Sequence, residues 1–115
     1  MVHMARAATT LDPFNAVAEP KRRQVLEALA DGEMPVGRLV DRLGWPQPMV
    51  SKHLGVLKEV GLVTARRDGR QRLYSVNGER LKTIHDWAKL FEKFWSHQLL
   101  RIKERAERKA KEQSN

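Results

Sequence analysis

The sequence predicts a mainly α domain with one β-hairpin and a long closing helix. Three observations lead there. Apolar residues recur every three or four positions in five successive segments, the mark of amphipathic helices. Between the fourth and fifth segments the apolar period drops to 2 on both sides of Asp68-Gly69, a hairpin turn pair. The length, 115 residues, suits a single domain with one modest core.

The elements follow in chain order. Leu11, Phe14 and Val17/Ala18 stand at helical spacing and predict a short helix over 12–18, after an arm at 1–10 expected to be disordered. Pro20 opens the second helix, where its missing N–H has no partner to lose. Val25, Leu26 and Leu29 form its apolar face, and Asp31-Gly32 stops it. Pro35 opens a third helix with Val36, Leu39, Val40 and Leu43 inward, and Gly44 ends it. Trp45-Pro46-Gln47-Pro48 is a tight turn, because two prolines so close cannot lie inside a helix. Pro48 can take the first position of a fourth helix over 48–60, with Val50, Leu54, Leu57 and Val60 inward and Gly61 as its stop. Ser51, Lys52 and His53 start on or near its outer side. Residues 62–67 and 71–76 are the paired strands, with Tyr74 and Val76 filling the core beneath them. Asn77-Gly78 leads into the last helix, from 79 to at least 106. Its apolar stripe of Leu81, Ile84, Trp87/Ala88, Phe91, Phe94/Trp95, Leu99 and Ile102 is about 33 Å long at 1.5 Å per residue. The chain is expected to fray from Lys103, and 107–115 is a charged tail.

Charge and composition narrow the function. Net charge is +8, and its placement is uneven. Lys/Arg and Asp/Glu balance at six each up to residue 44; residues 45–78 hold six against two, and 79–115 hold ten against six. A clustered basic surface on a small domain points to a polyanionic partner. There is no cysteine, which removes disulfides, thiolate metal sites and a cysteine nucleophile. No apolar run is long enough to span a membrane, and the first ten residues lack an apolar signal core, so a cytoplasmic protein is expected. No serine–histidine–acid pattern, phosphate loop or glycine-rich fingerprint appears, so an enzyme is not expected.

Two helices joined by a tight turn and followed by a basic hairpin describe a winged helix-turn-helix. Its second helix enters the major groove by its N-terminal end, where the helix dipole and free N–H groups favour phosphate. The residues placed there are Gln47, Pro48, Ser51, Lys52 and His53. Gln and Lys can read base edges, and Ser more often meets phosphate. His53 fits equally well at the edge of the core. Around the hairpin turn, Arg67, Arg70 and Arg72 are placed along the DNA backbone or in the adjacent minor groove. Arg66 and Arg72 could instead pair with acids on the hairpin body, which leaves Arg67 and Arg70 as the stronger candidates. The alternative is a protein-interaction module or antirepressor of the same fold that does not bind DNA. Such a protein would not need Lys52, Arg67 and Arg70 exposed on one face.

Three stretches also carry a family resemblance. Phe14-Asn15-Ala16-Val17-Ala18-Glu19-Pro20-Lys21-Arg22-Arg23-Gln24-Val25-Leu26 resembles the opening pattern L-x-D-P-x-R-R-x-I-L of the ArsR family of bacterial transcriptional repressors. Val50-Ser51-Lys52-His53-Leu54-Gly55-Val56-Leu57-Lys58-Glu59-Val60-Gly61-Leu62-Val63 resembles its recognition-helix signature S-x-H-L-x-x-L-x-x-A-G-L-V. Arg67-Asp68-Gly69-Arg70-Gln71-Arg72-Leu73-Tyr74 resembles its wing, R-x-G-R-x-x-x-Y. The resemblance covers roughly 12–95 and implies a homodimeric repressor of a palindromic operator on double-stranded DNA.

The last helix is too apolar for one small domain. Ile84, Trp87, Phe91, Phe94 and Trp95 exceed what three short helices and a hairpin can cover, so the stripe is expected to meet a second copy, together with Leu11 and Phe14 of the first helix. The resemblance implies the same interface. Metal-sensing relatives use a C-x-C pair in the third helix, where this chain has Val36-Gly37-Arg38-Leu39-Val40-Asp41, or a D-x-H pair in the last helix, where Asp86 is followed by Ala88. No metal or other cofactor is therefore expected. Whether His85, Asp86 and His97 meet a metal across a dimer stays open, as does any small-molecule inducer.

Overall fold

The computed structural model describes residues 12–113. Leu11 and the arm at 1–10 lie outside the described residues. The order is α1 Pro13–Ala18, α2 Pro20–Leu29, α3 Val36–Leu43, α4 Gln47–Glu59, β1 Val63–Asp68, β2 Gln71–Val76, α5 Gly78–Lys89 and α6 Glu92–Gln113. This is a winged helix-turn-helix, with α3 and α4 as the helix pair and β1–β2 as the wing. No helix among the described residues is long and apolar enough to cross a membrane.

Local chemistry sets the helix ends. The Asp12 carboxylate accepts the Asn15 amide at 2.8 Å and caps α1. The far end of α1 is capped from another helix: Arg22 Nε donates to the Ala16 carbonyl and Arg23 Nη1 to the Val17 carbonyl, each at 2.6 Å. Two guanidinium groups thus satisfy carbonyls that a helix end leaves bare, and they tie α1 to α2. Gly44 ends α3 at φ +71°, donating to the Val40 carbonyl at 2.8 Å. Gly61 ends α4 at φ +83°. Its amide bonds to Lys58, and the Leu62 amide bonds back to Leu57 at 2.9 Å, the double bond of a Schellman cap.

The first compact unit runs to Ile84. Its core joins Ala16, Val25, Leu29, Leu39, Val50, Leu54, Leu57, Leu62 and Val63, all nearly inaccessible. Tyr74 and Val76 pack against this core from the wing, as their alternation predicts. The hairpin pairs Val63 with Val76 and Asp68 with Gln71, so Gly69 and Arg70 form a two-residue loop. Only Gly69 there has positive φ, at +64°, which places glycine at the first central position. The turn thus sits one residue later than expected and carries Arg70 at its tip. Met34 adds a short third rung, exchanging bonds of 3.0 and 2.9 Å with Tyr74.

The second unit starts at His85 and holds the end of α5 and all of α6. Here two expectations need correction. The predicted single helix is broken at Leu90–Phe91, where the Leu90, Phe91 and Phe94 amides each bond three residues back, a tighter turn than α. Trp87 and Phe91 meet edge to face across that turn at 5.2 Å. The expected fraying from Lys103 is not found either, since α6 continues to Gln113. That stretch is built from Ala, Glu, Lys, Arg and Gln, all strong helix formers, with Glu104 and Glu107 each four residues before a cation.

The core predicts its own weak point. Leu57 is fully inaccessible, lies on α4 and anchors the Schellman cap. Leu57→Ala should lower unfolding stability by about 2–5 kcal/mol. Guanidinium denaturation checks this, and a loss below about 1 kcal/mol would contradict the packing described.

Candidate nucleic-acid interface

The phase of α4 decides which side chains face outward. Val50, His53, Leu54 and Leu57 are its buried residues. Gln47, Pro48, Ser51 and Lys52 are exposed. Four of the five residues placed on the outer side by sequence therefore stand there. His53 does not: it keeps only 7% of its surface exposed and faces the core. The reason is geometric, because position 53 lies three residues after Val50 and four before Leu57, on the inner face. Direct base contact from His53 is thereby corrected to a packing role.

The pocket around His53 is polar at its edge. Trp45, in the turn between α3 and α4, meets the imidazole edge to face at 6.3 Å. The Lys21 ammonium lies 4.6 Å from the centre of the Trp45 ring, a cation–π contact. The buried Nδ1 of His53 has no hydrogen-bond partner. Burial pushes the imidazole pKa below its ordinary value, and the Arg22 guanidinium pushes the same way; Glu19 opposes them, while Lys52 and Lys21 add to the lowering. Neither Lys21 nor Trp45 was assigned a role from sequence, since their meeting depends on how α2 packs.

The start of α4 offers fewer bare amides than expected. Pro48 has no N–H, and the Met49 and Val50 amides donate to the Pro46 carbonyl at 3.1 and 3.2 Å. The helix dipole still presents its positive end here. The exposed hydrogen-bonding side chains at this end are those of Gln47, Ser51 and Lys52.

On the wing, Arg67 and Arg72 stand directly opposite each other across the ladder, and both are exposed. They occupy the same strand face as Val63, Ala65, Tyr74 and Val76, past the point where the core ends. Arg70 is exposed at the tip. Among the described residues, no ion pair engages Arg67, Arg70 or Arg72. Arg66 is different: its Nη2 and Nε bond the two Glu33 carboxylate oxygens at 2.5 and 3.0 Å. That fork holds the Glu33 carboxyl below its usual range. Of the two arginines left open to pairing, Arg66 is paired and Arg72 is not.

The second unit exposes large apolar side chains among its charged ones. Leu90, Phe94, Leu99 and Ile102 are each more than 60% exposed, and Phe91, Trp95 and Leu100 are exposed too. Trp87 is 53% exposed. In the first unit Phe14 is 39% exposed and Ile84 is half-buried. His85 Nδ1 lies 3.4 Å from Asp86, and no group of three metal-ligating side chains comes together among the described residues.

A helix-turn-helix with a polar outer face, followed by an arginine-tipped hairpin, defines a DNA-binding regulator of the winged class. Comparison with known proteins gives the family. The model of the ArsR family of bacterial regulatory proteins matches residues 19–65. A helix-turn-helix transcriptional regulator of Methanocaldococcus jannaschii is 40% identical over 72 residues, covering 62% of this chain and 81% of that protein. A "probable mercury resistance operon repressor" of Streptomyces lividans is 41% identical over 76 residues, covering 66% of this chain but only 61% of that protein. The homodimeric winged helix-turn-helix DNA-binding domain of a possible ArsR-family regulator from Mycobacterium bovis superposes with a TM-score of 0.60 at 27% identity, covering 80% and 83% of the two chains. The chain belongs to the ArsR family of transcriptional regulators, and it is not an enzyme.

The buried imidazole predicts a pH dependence. Its folded pKa is lowered, so the unfolded chain takes up the proton more readily. The stability that His53 contributes is whole above about pH 6.5 and is lost as pH falls through its lower folded value. Melting temperature measured from pH 7 to 5 should decline, with a shallower decline in His53→Gln. Equal slopes in the two proteins would remove His53 as the cause.

Proposed function

We propose that this chain is a sequence-specific, homodimeric repressor that binds a palindromic operator on double-stranded DNA in the cytoplasm. The observation that carries the reading is the exposed row Gln47, Pro48, Ser51 and Lys52 on α4, set in one compact unit with the unpaired Arg67, Arg70 and Arg72 of the wing. In this reading Gln47 and Lys52 read base edges, Ser51 meets phosphate, and the wing arginines hold the flanking backbone. Repression is supported by the similarity to the Streptomyces relative, a probable operon repressor, and dimerisation by the similarity to the homodimeric Mycobacterium domain.

The second unit supports the dimer by its own chemistry. A soluble monomer rarely leaves a contiguous stripe such as Trp95, Leu99 and Ile102 in water. A second copy is the occupant the reading assigns, with Phe14, Ile84, Trp87, Phe91 and Phe94 contributing. Two-fold pairing then presents two α4 helices to successive turns of one duplex face, about 34–36 Å apart.

Selection of bound duplexes from a random pool tests the reading: an inverted repeat with half-sites one turn apart is expected. Enrichment of no duplex at low salt would remove it, and a protein-only adapter would then stand. Two further outcomes are specific. Arg67→Ala or Arg70→Ala should weaken binding to all sequences alike and reduce the salt slope by about one. Gln47→Ala or Lys52→Ala should change base preference at a cost of about 1–3 kcal/mol. Sedimentation of the full chain at micromolar concentration should give twice 13.3 kDa, and a monomer would refute the dimer.

A further inference from the structure

Gly55 has no reason to be glycine within its own chain. It lies well inside α4, where glycine loses more chain entropy than any other residue and lowers helix stability relative to alanine. A Cβ built on it would meet nothing within 4 Å, so no packing partner excludes a side chain. Its backbone is not in the left-handed region. The other glycines differ: four adopt positive φ at turns or caps, and Gly37 and Gly78 lie in the first turns of α3 and α5.

The position of Gly55 is informative. At 100° per residue it stands seven residues after Pro48, four after Ser51 and three after Lys52, on the midline of the exposed face of α4. It is a bare spot on the same exposed face, about one turn beyond Lys52 and C-terminal to the recognition side chains.

We infer that Gly55 is a positioning residue for DNA: its missing side chain lets α4 settle close to the floor of the major groove, so that Gln47 and Lys52 reach base edges. The inference deepens the operator-binding reading and rests on it. A side chain at 55 would act as a spacer, lifting the helix from the groove while leaving the wing arginines able to hold the backbone. Its effect should therefore fall on specific binding and grow with side-chain size.

The test uses the full chain, the duplex selected with the unaltered protein, and a random-sequence duplex. Gly55→Ala and Gly55→Leu should both melt higher, by roughly a few degrees, because helix propensity improves. Affinity for the selected duplex should fall about tenfold for Gly55→Ala and on the order of a hundredfold for Gly55→Leu, of the size of one or two lost base contacts. Affinity for the random duplex should change by less than about threefold, since phosphate contacts dominate it. A purely structural role for the glycine would lower the melting temperature, and that result overturns the inference. So does a Gly55→Ala or Gly55→Leu protein that binds the selected duplex as tightly as the unaltered chain. If the unaltered chain selects no duplex, the operator-binding reading fails and this inference fails with it, an outcome distinct from the other two.

Discussion

The phase of α4 is the constraint on which the rest depends. The helix is pinned at one end by the Gly44–Pro46 turn and at the other by the Gly61 cap. Val50, Leu54 and Leu57 are nearly inaccessible and fill the core between α2, α3 and the wing. A rotation of one residue, about 100°, would carry Leu54 into solvent and Lys52 toward the core. Burial of the opposite face therefore orients Gln47, Ser51 and Lys52. The same phase places His53 inside, where its uncharged form suits a pocket that already holds Arg22 nearby.

Three features sit poorly with an isolated chain. Arg67 and Arg72 oppose each other across the wing, and like charges in that position repel. Gly55 weakens the interior of α4 with no packing return. The α6 stripe leaves Trp95, Leu99 and Ile102 in water. In the proposed dimer on DNA each conflict eases: phosphate lies between the arginines, a groove floor over the glycine and an apolar helix on the stripe. Local rules broken without internal compensation collect where a protein meets something else.

Much of this was legible in the sequence. The proline and glycine positions marked the helix ends to within a residue or two, because they act through backbone geometry alone. The inward place of His53 was legible too, from its spacing to Val50 and Leu57, although its polar neighbours left it open between the outer side and the edge of the core. The Leu90–Phe91 break was not legible: neither residue is glycine or proline, and apolar residues keep their spacing across it. The Arg22 and Arg23 caps, the Glu33–Arg66 fork and the Met34–Tyr74 rung join residues from separate elements, and no local pattern encodes them. The fraying expected beyond Lys103 took polarity for disorder, whereas alanine, glutamate and arginine favour helix without a core.

The pairing of Arg66 with Glu33 separates two tasks within the wing. One arginine is spent fastening the hairpin to the segment before α3, which holds the tip in place. The next three cationic positions remain uncompensated and supply a charge that attracts any duplex. Attraction of that kind carries no sequence information. In the proposed operator complex discrimination comes from α4, whose exposed face near the helix start offers Gln47, Ser51 and Lys52 as hydrogen-bonding groups. At about 1–3 kcal/mol per base pair read, a single such face discriminates weakly against the many competing sites of a genome. Two faces held in fixed register roughly double that discrimination. In the proposed dimer the apolar stripe of α6 is accordingly part of the recognition machinery, although none of its residues need touch DNA.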